Sequence, residues 1–107
     1  MNTEIEIGAT PYDEPCAQVG EPGYEERARA ECRVFIRQIR RAIGPEPAGA
    51  RLVVRSHSHD FGLYQEVGLR FDDDDEAQAR YAAKLEDSVP DRWDETARIE
   101  LGLEVGA

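Results

Sequence analysis

The sequence predicts a single α+β domain, a small antiparallel sheet of about three strands with two to three helices on one face. Three patterns carry that expectation. A strictly alternating run opens the chain, a long run of helical period covers residues 22 to 43, and two further alternating runs, 52–55 and 63–71, lie close enough to be the arms of a hairpin. A length of 107 residues places all of 1–107 in one domain, with one modest core that needs neither metal nor disulfide.

The first strand is short. Thr3, Ile5 and Ile7 alternate with Glu4 and Glu6 and are stopped by Gly8. Residues 9–21 hold Pro11, Pro15 and Gly20 among acids, which predicts a surface loop. From Pro22 onward, Tyr24, Ala28, Cys32, Phe35, Ile36, Ile39 and Ile43 fall on about one third of a helical wheel. Pro22 suits a first turn, Glu21, Glu25 and Glu26 suit the positive end of the helix dipole, Arg37, Arg40 and Arg41 suit the negative end, and Gly44-Pro45 ends the helix. The same wheel puts Arg29, Arg33, Arg37 and Arg40 in one strip beside the apolar face.

Beyond the turn-forming residues 44–50, Leu52 and Val54 share one face of a strand, and Leu63, Val67, Leu69 and Phe71 share one face of the next. Residues 56–62, with His57, His59, Asp60 and Gly62, are expected to form the connecting loop. The opposite face of the hairpin would carry Arg55, Tyr64, Glu66 and Arg70, with His57, Glu4 and Glu6 as candidate neighbours. Residues 72–75 supply a cap for a second helix, in which Ala77, Tyr81 and Leu85 recur every four positions before Ser88-Val89-Pro90 ends it. The last segment reads two ways. Trp93, Ala97 and Leu101 fit a helix from about 91 to 101 stopped by Gly102, the reading we favour, whereas Ile99, Leu101, Leu103 and Val105 alternate as a strand would. The strand reading makes the order βαββαβ, the ferredoxin-like four-stranded arrangement.

Charge is sorted along the chain. Residues 1–26 carry seven acids and no base, residues 27–55 carry eight arginines against two glutamates, and the remainder carries fourteen acids against five bases, within a net charge of −10. Such sorting favours charge-steered association, and the acidic balance argues against a general nucleic-acid binder, which needs clustered cations, with the arginine helix the one exception. The longest uninterrupted aliphatic or aromatic runs, 34–36 and 52–54, are far too short to span a bilayer. The expectation is a cytoplasmic protein with no membrane partner. Cys16 and Cys32 match no zinc or redox spacing, Cys32 falls on the apolar helix face, and a pair between them is disfavoured.

The segment most like a site is Ser56-His57-Ser58-His59-Asp60. Two histidines two apart on a strand, with an adjacent carboxylate, make His57, His59 and Asp60 a candidate metal set. The fragment is similar to the start of the His-x-His-x-Asp-His motif of metallo-β-lactamase-type hydrolases, but it lacks the residue before the aspartate, and the chain has no further histidine. A solvated loop is the favoured reading. His57, Tyr64 and Glu66 could converge for acid–base work, against which we weigh a salt-bridged sheet face of Arg55 and Arg70 with Glu66, Glu4 or Glu6. No nucleophile has a base at a diagnostic spacing and no phosphate-binding glycine loop occurs, so neither an enzyme nor a cofactor is expected.

The acids offer a sharper possibility. Asp72, Asp73, Asp74, Asp75 and Glu76, followed by Glu86, Asp87, Asp91, Asp94 and Glu95, display carboxylates at intervals resembling a nucleic-acid backbone, a surface able to occupy a cationic groove. The run lacks the spaced ligands and central glycine of an EF-hand loop. The alternative is an assembly module, with Arg29, Arg33, Arg37 and Arg40 binding an acidic partner or a second copy of the chain as a homodimer.

Residues 12–20 (YDEPCAQVG), 29–33 (RAECR), and 59–62 (HDFG) through Glu66-Val67 resemble small acidic proteins carried on bacterial plasmids and integrative elements. The resemblance covers most of the chain and transfers no functional residue. It implies a mobile-element context, in which short acidic proteins act as anti-restriction or anti-CRISPR inhibitors by mimicking nucleic acid. The function expected from sequence is therefore a non-enzymatic interaction protein whose partner has a basic groove.

Overall fold

Alternation and helical period map onto the elements in chain order. In the computed structural model, which describes residues 2–7, 20, 22–59, 62–90 and 92–103, these are β1 (Asn2–Ile7), α1 (Tyr24–Ile43), β2 (Arg51–His59), β3 (Gly62–Asp72), α2 (Glu76–Ser88) and α3 (Glu95–Glu100). β3 is central, and the sheet order is β1-β3-β2 with both pairings antiparallel. Register places Ile5 and Leu52 on either side of Leu69, and Val54 beside Val67, so the odd-numbered positions of β1 and β3 and the even-numbered positions of β2 share the core face. The helices cover that face, which makes the fold a small α+β layer pair.

The core is built where α1 and α2 cross β3. Phe35, Ile39, Val67, Leu69 and Leu85 are fully buried, and Trp93 stands edge-on to Phe35 with ring centroids 6.2 Å apart and an interplanar angle of 83°. Trp93 and Ala97 bring the C-terminal segment onto α1. Buried Gln38 clasps that junction: its Nε2 donates to the Arg92 carbonyl at 2.6 Å and its Oε1 accepts the Asp94 N–H at 3.1 Å.

Three sequence expectations change in detail. Pro22 lies ahead of α1 rather than in its first turn, because Gly23, at φ 78°, takes the left-handed N-cap position and the helix starts at Tyr24. The expected loop at 56–62 is mostly strand. With Leu52 beside Leu69 and Val54 beside Val67, the ladder runs on in constant register to the pair His59 and Gly62, leaving a two-residue connection. The last element is a helix, but a shorter one than 91–101. Asp94 caps it by accepting the Ala97 N–H at 2.8 Å, and its end is a Schellman turn, with Gly102 (φ 70°) donating to Ile99 and Leu103 donating to Arg98. Leu103 packs against the core from this turn and not from a strand, so among the described residues the sheet has three strands and the ferredoxin-like alternative does not form. The expected loop at 9–21 falls almost wholly outside the described residues. No described helix is long and apolar enough to cross a membrane.

Candidate functional surface

Residues 72–76 leave the sheet and enter α2 through a turn organised by its own carboxylates. Asp72 Oδ1 accepts the Asp74 N–H at 3.1 Å, the Asp75 N–H donates to the Asp72 carbonyl at 3.0 Å, and Asp75 Oδ1 caps α2 by accepting the Gln78 N–H at 3.0 Å. Carboxylate oxygens of Asp72, Asp73 and Asp74 lie within 4.8 Å of one another, with Asp73 and Asp74 exposed. Glu76 is exposed and pairs weakly with Arg80 at 3.6 Å. Glu86 and Asp87 are also exposed, ten residues along the helix and so about 15 Å away.

The ten predicted acids therefore do not form one continuous row. They divide into a turn cluster, a pair at the far end of α2, and Glu95 in the first turn of α3. Two belong to the fold: Asp75 is an N-cap, and Asp94 is both an N-cap and the partner of Arg41, whose Nη2 reaches Asp94 Oδ1 at 2.7 Å while its Nε reaches Oδ2 at 3.1 Å. Burial works against ionisation of Asp94, but the hydrogen bonds from Arg41 and the Ala97 N–H outweigh it and hold the carboxyl below its ordinary range. Asp91 lies outside the described residues.

The arginine strip is likewise divided. Arg37 reaches Glu100 Oε2 at 3.2 Å, tying α1 to α3, and Arg40 forms a fork on Glu46 at 2.6 and 3.1 Å. The Arg40 hydrogen bond is the largest influence lowering the Glu46 carboxyl, and the same bond raises the guanidinium. Arg27 adds a pair to buried Glu31 at 3.5 Å. Arg29 and Arg33 are exposed and have no carboxylate partner among the described residues.

His57 and His59 sit in β2, with His57 opposite Tyr64 in the ladder. Their side chains, with Asp60 and Tyr64, lie outside the described residues, so the metal and acid–base sets are not described. The neighbouring salt-bridged face is present where it is described: Arg70 Nε donates to Glu4 Oε2 at 3.1 Å across β1 and β3. Cys32 is buried, and burial, aided by Glu31, pushes its thiol up to about 12, an inert core thiol; Cys16 lies outside the described residues.

Sequence reasoning missed Gln78 and Glu100. Asp75-x-x-Gln78 has the spacing of a capping box, which is a legible signal, but the Gln78 side chain reaches elsewhere. It accepts the Asp72 N–H at 2.7 Å and donates to the Ala48 carbonyl at 2.8 Å, locking the acidic turn to the α1–β2 connection. Glu100 carries no local signal of its pairing with Arg37, 63 positions away. Comparison with protein-family models, curated proteins and solved structures finds no match to this chain.

Proposed function

We propose that the chain is a non-enzymatic interaction protein whose exposed acids engage the basic groove of a protein partner that ordinarily binds nucleic acid. One observation carries the reading. Four arginines of the basic stretch, Arg27, Arg37, Arg40 and Arg41, pair with carboxylates of the same chain, and within a net charge of −10 the side chains of Asp73, Asp74, Glu76, Glu86, Asp87 and Glu95 are exposed. The outward field is thus set by acids, and a cationic groove is the complementary surface. The fixed turn at 72–76 is the centre of the proposed contact, since its charges are held in place by a cap and by Gln78. An inhibitor of a bacterial defence complex, anti-restriction or anti-CRISPR, is the specific role that the mobile-element resemblance supports.

The test replaces Asp73, Asp74 and Glu76 by their amides, leaving the Asp75 cap intact. Wild-type protein, used as bait in nuclease-treated host lysate, is expected to retain a nucleic-acid-binding protein that is eluted by salt and competed by added nucleic acid, and the amide variant is expected to lose it. Retention by both proteins, or a captured protein indifferent to nucleic acid, sinks the reading. Arg29 and Arg33, exposed and without a carboxylate partner among the described residues, favour the second reading, an assembly contact. Arg29→Glu with Arg33→Glu would then abolish binding or self-association while the acid variant leaves it intact.

A further inference from the structure

We propose that the end of the sheet holds a binding site for a phosphate group, between Arg51 and Arg70. Arg51 opens β2 and Arg70 lies near the end of β3, and the ladder sets them directly opposite one another. Like charges in that relation destabilise a strand pair unless something negative offsets them. Glu4 offsets one: its Oε2 accepts from the Arg70 Nε at 3.1 Å, which orients the guanidinium and leaves its two terminal nitrogens without a carboxylate partner among the described residues. Arg51 is exposed and has no carboxylate partner among the described residues. Asp72, two residues along from Arg70, uses Oδ1 to accept the Asp74 N–H.

The two arginines border an open pocket of about 420 Å³, completed by Asn2, Gly49, Ala50 and Phe71. Asn2 brings a side-chain amide from the third strand. Gly49, at φ 89°, contributes bare backbone, and a Cβ there would meet Gln78 Nε2 at 2.5 Å. The lining brings two guanidiniums and an asparagine from three adjacent strands, a donor-rich set that suits an anion with several acceptor oxygens. The two guanidiniums, one of them offset by Glu4, give the rim its cationic bias, which suits a phosphate monoester or a phosphodiester. The site uses none of the acids of the proposed partner surface and stands independently of that reading.

The experiment follows amide and arginine Nε resonances of the ¹⁵N-labelled full chain. Inorganic phosphate is titrated in one arm and dimethyl phosphate in another, with acetate and chloride at matched ionic strength as controls. Saturating shifts at Gly49, Ala50, Arg51 and Arg70 are expected with a Kd of about 1 mM, at least tenfold weaker in Arg51→Gln, a change at an exposed position that leaves the rest of the spectrum in place. Response to inorganic phosphate alone identifies a free or monoester source, and equal response to dimethyl phosphate identifies a diester. Shifts that do not saturate, that acetate or chloride reproduces, or that survive Arg51→Gln overturn the proposal.

Discussion

Asp94→Ala tests the idea that charge sorting in this chain first serves to dock its own C-terminal segment. The side chain has two separable tasks, capping α3 through the Ala97 N–H at 2.8 Å and receiving the Arg41 fork. Loss of a cap costs about 1 kcal/mol. An ion pair whose members are 35% and 38% exposed is screened by solvent, and contributes at most about 1 kcal/mol. Together Asp94→Ala should destabilise by about 1.5–2 kcal/mol, a fall in Tm of roughly 6–15 °C for a domain of this size. Asp94→Asn keeps the capping oxygen and loses only the charge, so it should cost about 0.5 kcal/mol, and Arg41→Ala should match it. Urea melts of the three variants decide the matter. The sign of the pH dependence follows from the depressed carboxyl: its stabilisation is complete above the ordinary value of 3.8 and is lost as pH falls through the lower folded value. The difference between wild type and Asp94→Asn should therefore shrink toward zero below pH 3.8. Equal damage from the Ala and Asn variants, or a difference that persists in acid, would refute the reasoning.

Three further outcomes follow from the packing. Gln78→Ala leaves the Asp72 N–H and the Ala48 carbonyl without their partner and should cost about 2–3 kcal/mol; hydrogen exchange at the Asp72 amide should accelerate, and an unchanged rate would count against the clamp. Gly68→Val places a Cβ 2.8 Å from the Ile5 carbonyl oxygen, so β1 must move away from β3. The expected cost is about 1–3 kcal/mol, with exchange protection lost in β1 and kept in α1; protection retained in both would show that the strands can absorb the side chain. Cys32, pushed up to about 12 by burial, should resist iodoacetamide at pH 8 in the folded protein and react on unfolding, as read by peptide mapping at that residue. Rapid native labelling would place the thiol outside the core.

The long helix was legible because its apolar residues repeat over five turns, enough for periodicity to dominate. Ala28, Cys32, Phe35, Ile39 and Ile43 are buried as that period requires. Local signals also sufficed at Asp75, Gly44 and Gly102, whose roles depend on a few adjacent residues. The hairpin connection misled because serine, histidine and aspartate suit loops by composition, whereas a ladder already in register extends through any residue that can donate and accept. The candidate acids were legible as residues but not as a surface. Nothing near Asp94 in sequence announces Arg41, 53 positions away.

From its residues alone, the chain's class, the order of its elements and the identity of most core positions follow, since each depends on period, capping and turn chemistry within a few neighbours. Tertiary structure decided the final helix, the two-residue hairpin and, above all, which charges remain outside. Ion pairing is a matter of distance in space. Arg37 and Arg41 became internal ties only when Trp93 and Ala97 buried themselves against α1, and Asp73, Asp74 and Glu76 stayed at the surface because the turn that carries them is fastened from below by Gln78.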